Sequence, residues 1–353
     1  MSLNTLSAAE VIAQLNEFDS VIDARSEDEY ALDHLPGAVN WPTLNNDERC
    51  SIGTLYTQVN PFEAKKRGAA IAARNIAAHI EREVIAKPRD WKPLAYCWRG
   101  GQRSGALALI LSQIGFRVTL LEGGYKAFRA AVVQDTPRLV KALNWRVISG
   151  TTGSGKTRLL QALRGQGAQV VDLEALARHR SSVLGALPGL QQPTQKRFDT
   201  LVWEALRQLD PARPVFIESE SKKVGNVTVP SALIEAMHQS PCLNLMLSDS
   251  ERVALLMEDY DFFVRDVESF CERLQVLAAF KGKEVVDGWQ AQLRSGEIAP
   301  VVQALLTQHY DPTYLASMRR NFSQFEKARM IEPADHSVAA MTELARELIL
   351  SLV

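Results

Sequence analysis

The sequence predicts an α/β protein built from two parallel-sheet domains, the second ending in a helical part. Three observations carry that reading. β-rich runs alternate with helical stretches along most of the chain, and such alternation builds parallel strands covered by crossover helices. Two runs, residues 94–96 and 145–149, pass through a glycine loop straight into a helix start. Pro137 follows the last helix of the first set and a new strand begins at Asn144, so residues 135–143 read as a seam between domains 1–136 and 144–353.

Taken in order, Ser7-Ala8-Ala9-Glu10 has the spacing of a capping box and opens a short amphipathic helix. Residues 20–25 form a β-rich run, residues 27–32 allow one or two helical turns, and His34 to Pro42 reads as a turn feeding a strand. Residues 60–87 are mostly helical, with Ile71, Ile76, Ile80 and Val84 as a buried stripe. A strand over 117–121, the turn Glu122-Gly123-Gly124 and a helix over 125–133 complete the first domain. In the second, residues 169–172, 214–218 and 243–247 are strands separated by helices over 194–209 and 230–238. From about Glu251 onward the chain turns mainly helical, interrupted at Tyr310-Asp311-Pro312-Thr313-Tyr314.

Composition excludes several classes. With 353 residues the chain is long enough for two full cores, and 46% hydrophobic with 23% charged residues is ordinary for a soluble protein. No apolar run approaches the roughly 20 residues that span a bilayer, and Met1-Ser2-Leu3-Asn4 lacks the basic and apolar regions of a secretory leader, so the expectation is a cytoplasmic protein with no membrane partner. Cys50, Cys97, Cys242 and Cys271 lie far apart without a C-x-x-C pair, which argues against a structural metal or a disulfide framework. A net charge of −1 leaves nucleic-acid binding to any local basic face.

Two loops carry the chemistry. Cys97 ends a strand and is followed by Trp98, Arg99, Gly100, Gly101, Gln102, Arg103 and Ser104. Paired glycines let loop amides turn inward as an anion nest, Ser104 has the position to cap the helix over 106–114, and Arg99 and Arg103 add positive charge. Each feature favours a thiolate. Trp98 beside the thiol is suited either to stack on an extruded base or to cover the loop. The second loop, Gly150-Thr151-Thr152-Gly153-Ser154-Gly155-Lys156-Thr157, matches G-x-x-x-x-G-K-[ST] between a strand and a helix. Its amides cradle phosphates, Lys156 reaches the terminal ones, and Thr157 is placed to hold Mg²⁺, with Asp172 or Glu218 as the partner acid at a strand end. Glu218 and Glu220 end one strand, yet no run ends in a plain D-E pair and no N-K-x-D guanine reader is present. Phosphate binding therefore does not by itself imply nucleotide hydrolysis. Arg178, Arg180, Lys222 and Lys223 are candidates for a phosphate-tracking, nucleic-acid-binding surface if they converge on these loops.

Several motifs point to known families. Asp23-Ala24-Arg25 with Glu29-Tyr30, His34-Leu35-Pro36-Gly37-Ala38, Tyr96-Cys97 with residues 100–104, and Leu121-Glu122-Gly123-Gly124 resemble, in order, the signatures of a rhodanese domain. That resemblance implies a cysteine carrying sulfur or selenium as a persulfide or perselenide. The C-x5-R frame from Cys97 to Arg103 is one residue longer than in ordinary sulfurtransferases and matches rhodanese-like phosphatases, leaving room for a tetrahedral anion such as phosphate or selenophosphate. With the phosphate loop next in sequence, and with Asn45-Asn46-Asp47-Glu48-Arg49, residues 172–180, Glu218-Ser219-Glu220-Ser221 and Tyr310-Asp311-Pro312, the chain resembles the bacterial tRNA 2-selenouridine synthases over nearly all its length. This implies exchange of sulfur for selenium in the wobble 2-thiouridine of tRNA, through an S-geranyl intermediate. The co-substrates implied are geranyl diphosphate and selenophosphate, the latter from a selenophosphate-supplying enzyme, with no tightly bound organic cofactor. The alternatives are a sulfurtransferase or phosphatase with a nucleotide-switched second domain, or a tRNA-binding adaptor.

Overall fold

The computed structural model describes residues 3–180 and 189–352. It divides into one unit of residues 1–136 with 193–204, and a second of 137–192 with 205–353.

In the first unit, β1 (Asn4–Leu6), β2 (Ser20–Asp23), β3 (Ala38–Asn40), β4 (Pro93–Tyr96) and β5 (Thr119–Leu121) form a parallel sheet in the order β1-β5-β4-β2-β3. Every residue of β4 and β5 is buried, so both faces of the sheet are covered. The connecting helices are α1 (Ala8–Ala13), α2 (Glu27–Leu32), α3 (Asn46–Gln58), α4 (Pro61–His79), α5 (Gln102–Ile114) and α6 (Gly124–Ala142). The Ser7–Glu10 capping box forms as its spacing predicts. Ile22, Ile76, Trp91, Ala95, Leu107 and Leu111 pack in one core cluster under the end of β4, which holds Cys97 firmly in place.

Three expectations are corrected here. α6 does not stop near 133 but continues through Pro137 to Ala142, across the predicted seam. Proline deletes a helical hydrogen bond, yet Phe128, Val132 and Val140 are buried on either side of it and packing carries the helix through. Residues 193–204, read from sequence as part of the second domain, belong to the first unit. The Trp203 ring meets Phe128 edge-on at 5.5 Å, its Nε1–H donates to Asp135 at 3.0 Å, and the Thr200 hydroxyl donates to Asp33 at 2.9 Å. Finally, α5 starts at Gln102 with Gly101 as its cap, so Ser104 lies inside the helix and is free for another task.

The second unit begins with β6 (Asn144–Ser149), α7 (Lys156–Gly165), β7 (Gln169–Val171) and α8 (Leu173–Ala177). α9 (Gln195–Arg207), which belongs to the first unit as far as Glu204, leads to β8 (Pro214–Glu218), then the hairpin β9 (Lys223–Val224) and β10 (Val227–Thr228), α10 (Ser231–Gln239) and β11 (Cys242–Leu245). The helical part is α11 (Asp249–Asp259), α12 (Asp261–Arg265), α13 (Val267–Leu274), α14 (Ala278–Lys281), α15 (Lys283–Arg294), α16 (Ile298–Leu305) and α17 (Asp311–Asn321). β12 (Arg329–Ile331) and α18 (Val338–Leu352) close the chain. The sheet is parallel, in the order β12-β11-β6-β8-β7. β6 is thus central, and the chain leaves it first toward β7 and β8 and later toward β11. Such a reversal opens a crevice at the carboxyl ends of the strands, and the glycine loop lies there. Among the described residues no helix is long and apolar enough to cross a membrane.

Candidate functional site

Cys97 follows the last residue of β4, is 3% exposed, and accepts a hydrogen bond at Sγ from the Ser104 hydroxyl at 3.2 Å. Burial pushes the thiol up, but the Ser104 hydroxyl and amide, the Arg103 charge and the Gly101 amide outweigh it and leave Cys97 below its usual value. Ser104 therefore supports the thiolate directly instead of capping the helix. The carbonyls of Cys97 and Trp98 are taken by the amides of Tyr125 (2.8 Å) and Lys126 (3.1 Å) at the start of α6. Gly100 has φ +66°, and a Cβ there would come within 2.8 Å of the Leu121 carbonyl, so the tight curl requires glycine. Arg103 is aimed by a two-pronged pair with Glu29 of α2, at 2.5 and 3.2 Å. Arg99 and Gln102 are exposed, while Trp98, 36% exposed, stacks on Tyr125 with ring centres 5.5 Å apart.

Behind the loop lies a buried polar network. Arg25 forms a close ion pair with Asp23 at 2.6 Å and lies over the Tyr125 ring at 4.1 Å, and Tyr96 donates to Asp23 at 2.7 Å. Tyr125 donates to Asp33 at 2.8 Å. Buried pairs of this kind add little net stability, but they hold side chains in one arrangement. The aromatic wall that supports Trp98 is set by this network.

The phosphate loop connects β6 to α7. A Cβ on Gly150 would come within 2.7 Å of the Leu245 carbonyl, so the strand exit is closed to other residues. Lys156 folds back to donate to the Gly150 carbonyl at 2.6 Å and lies 5.4 Å from the centre of the Tyr314 ring. The Tyr314 hydroxyl accepts the Gly150 amide at 2.8 Å and shares a hydrogen bond with Ser219. Ser154 Oγ is buried without a hydrogen-bond partner. Arg252 is almost fully buried and donates to the Thr152 carbonyl at 3.0 and 2.8 Å while pairing with Asp311 at 2.6 Å, so it clamps the loop to the start of α17.

Acids gather beside Lys156. Glu218, at the end of β8, is raised well above the usual carboxylate value by burial and by the charges of Asp172, Glu220 and Glu174. One of its oxygens takes the Glu174 amide at 3.0 Å and the other, Oε2, is buried without a partner. Thr157 meets Glu174 at 3.4 Å, and Asp172 accepts the Ala175 amide to cap α8. Of the expected magnesium set, Asp172 is thus occupied as a cap, and the acid touching Thr157 is Glu174. Among the described residues no three His, Cys, Asp or Glu side chains form a metal site by themselves.

A cavity of about 820 Å³ opens over this loop, bounded by Lys156, Thr157, Glu174 and Glu220 and reaching Arg180, Lys222 and Arg320. Of the four basic candidates, Arg180 and Lys222 line it; Arg180 lies over the Tyr260 ring at 4.5 Å and donates to the Asp259 carbonyl. Arg178 and Lys223 are exposed and lie outside the lining. Sequence reasoning missed Glu174, Arg252 and Tyr314. The acid two residues beyond Asp172 was a readable signal; Arg252 and Tyr314 reach the loop from distant helices, and no signal ties them to it.

Comparison with known proteins follows this division. Residues 7–131 match the rhodanese-like domain, and residues 143–284 match the tRNA 2-selenouridine synthase AAA domain. The chain is 30% identical over 352 residues to the tRNA 2-selenouridine synthase of Sulfurovum sp. (strain NBC37-1), covering 89% of this chain and 95% of that protein. It belongs to the tRNA 2-selenouridine synthase family. The synthase of Bdellovibrio bacteriovorus is 28% identical, covering 91% of this chain and 94% of the relative. The crystal structure of the N-terminal domain of an ATP/GTP binding protein from Clostridium difficile 630 is 33% identical over 37% of this chain and 98% of that one, with a TM-score of 0.31. In this member of the 2-selenouridine synthase family the thiol loop and the phosphate loop lie in separate units.

Proposed function

We propose that this protein replaces sulfur by selenium in the wobble 2-thiouridine of tRNA in two steps, one at each loop. In the first, the thiocarbonyl sulfur attacks C1 of geranyl diphosphate, the C1–O bond breaks and pyrophosphate leaves with the electron pair. The phosphate loop and Lys156 offset the negative charge that develops on the leaving group, and Thr157, with Glu174 and the open Oε2 of Glu218 nearby, would hold a Mg²⁺ that adds positive charge there. In the second, the selenium of selenophosphate attacks C2, the C2–S bond breaks and geranylthiolate leaves with the electron pair, and water then cleaves the P–Se bond to release inorganic phosphate, so that nothing is oxidised or reduced. The Cys97 loop holds this donor and hands on its selenium. Alkylation is what makes the sulfur a competent leaving group. Arg180 and Lys222, with Arg178 and Lys223 outside the cavity, are the proposed tRNA contacts, and Trp98 on Tyr125 is a platform for the extruded base. An enzyme that makes selenophosphate would supply the donor.

The observation that carries this reading is a thiol held below its usual value in one unit and a separate phosphate site in the other. Nucleoside mass spectrometry of tRNA treated with purified variants tests it. Cys97→Ser is expected to abolish selenation and keep geranylation. Lys156→Ala is expected to abolish geranylation and keep selenation of pre-geranylated tRNA. Loss of geranylation in Cys97→Ser, or loss of selenation of pre-geranylated tRNA in Lys156→Ala, overturns the division of labour. A nucleotide-driven second unit is the competing reading, favoured by Glu218 at the end of the strand beside β6. A strict ATP or GTP requirement for geranylation would establish it.

A further inference from the structure

Beside the phosphate cavity lies a second, smaller one of opposite character. It is a slot of about 60 Å³ among α11, α12, α13 and α16, walled by Leu256, Val264, Phe270, Val302, Leu305 and their neighbours, with Thr152 of the phosphate loop at its edge. Thr152, Leu256, Tyr260 and Tyr310 border both cavities, so the slot opens where the phosphate loop ends. Its inner wall is the stacked pair Phe263 and Phe270, with ring centres 5.0 Å apart and each ring 5% exposed. Leu256, Val264 and Val302 are only half-buried, so the apolar wall of the slot stays accessible.

Resting on the reading that the phosphate loop takes an allylic diphosphate, we propose that this slot binds the distal end of the prenyl chain and sets its length. The loop holds the diphosphate and Thr152 marks the crossing from polar to apolar wall. A slot of about 60 Å³ has room for roughly four to six water-sized groups, which fits the five carbons of one isoprene unit. The unit bearing the diphosphate lies at the mouth by Tyr260 and Tyr310. Two units fill the site, and a third meets Phe263 and Phe270. A nucleotide base fits this wall poorly, because its ring nitrogens and amino groups would be buried against hydrocarbon without partners.

Chain-length selectivity of the full-length protein on thiolated tRNA tests the proposal. With dimethylallyl, geranyl and farnesyl diphosphates, the geranyl donor is expected to have the highest kcat/KM. The C5 donor should lose about a thousandfold, since five buried carbons each contribute to binding. Val302→Phe fills the slot and should raise the KM for geranyl diphosphate about tenfold or more, while inhibition by inorganic pyrophosphate stays within about twofold. Phe270→Ala deepens the slot and should raise the farnesyl-to-geranyl ratio about tenfold; if that variant does not fold, Val302→Phe decides alone. An unchanged donor profile, or equal weakening of geranyl diphosphate and pyrophosphate, would make the slot a packing gap and overturn the proposal. If the unmodified protein transfers no prenyl group from any donor, the reading of the phosphate loop itself fails, and the slot with it.

Discussion

The thiol loop and the phosphate loop follow one plan, a buried strand running through glycines into a helix, and they differ in who supplies the anion. At Cys97 the anion belongs to the chain, and its supports are already in place: the Ser104 hydroxyl, two loop amides and Arg103 held by Glu29. At residues 150–157 the anion is to come from a ligand. Lys156 meanwhile takes the loop's own carbonyl and Tyr314 takes the amide of Gly150. On the proposed reading, the first site is finished before substrate arrives, whereas the second exchanges internal partners for phosphate. A finished site fails by losing one supporting group; an exchanging site gains stability when its ligand binds.

The sharpest way to break that comparison is at the clamp of the phosphate loop. Arg252→Ala leaves Asp311 and the Thr152 carbonyl without their partner in a largely buried setting, and is expected to cost about 3 kcal/mol of stability. Urea unfolding should show the loss, while the reactivity of Cys97 toward an alkylating agent stays as in the parent. A fall in both would mean that the two loops are not independently built.

Ligand-linked stability comes next. Pyrophosphate at about a hundred times its dissociation constant should stabilise the parent by about 2.7 kcal/mol, and Lys156→Ala should lose most of that gain. Thermal unfolding with and without pyrophosphate and Mg²⁺ measures it. Equal stabilisation in the two proteins would show that the loop does not exchange its lysine for phosphate.

For the thiol loop the expected change is smaller. Ser104→Ala removes a hydrogen-bond donor from a buried sulfur, which raises the Cys97 pKa toward and above its ordinary value. Alkylation at pH 7 should slow about three- to tenfold, with the pH–rate profile moved to higher pH. An unmoved profile would transfer the effect to the amides and Arg103.

How much of this was legible follows from where each group lies in the chain. Both loops were readable because their residues are contiguous: Cys97 to Ser104 and Gly150 to Thr157 carry strand, glycines and helix in one stretch. Ser104 was placed correctly and given the wrong task, since a hydroxyl near a helix start suits a cap or a thiolate equally, and Gly101 took the cap. Arg252 and Tyr314 come from about 100 and 164 residues away; nothing local marks Arg252, and the interruption at residues 310–314 marks Tyr314 without tying it to the phosphate loop. The segment 193–204 misled for the same reason, because a helix's own pattern shows that it has an apolar face but not which core receives it.

The smallest expected effect concerns the support behind the phosphate loop. His336 lies between Glu251, which it meets in a very short contact, and Glu258 at 3.1 Å, with Asp335 adjacent in sequence. Arg158 of α7 donates to the His336 carbonyl at 2.9 Å and to Glu258 at 2.8 Å. Hydrogen bonds that its ring nitrogens donate to the two carboxylates raise the His336 pKa above its usual value, against slight burial. A histidine raised on folding contributes stability that is fully present below the unfolded pKa of about 6.5 and is lost as pH rises through the higher folded value. The urea midpoint of the parent should therefore decline through that window, and His336→Gln should flatten the decline by a modest amount, since the group is near the surface. The same cluster braces the helix that begins at Lys156, so pyrophosphate affinity should weaken over the same pH interval in the parent and less so in His336→Gln. Cys97 alkylation should show no inflection that His336→Gln removes. An inflection that it does remove would tie the finished site to the exchanging one and end the distinction between them.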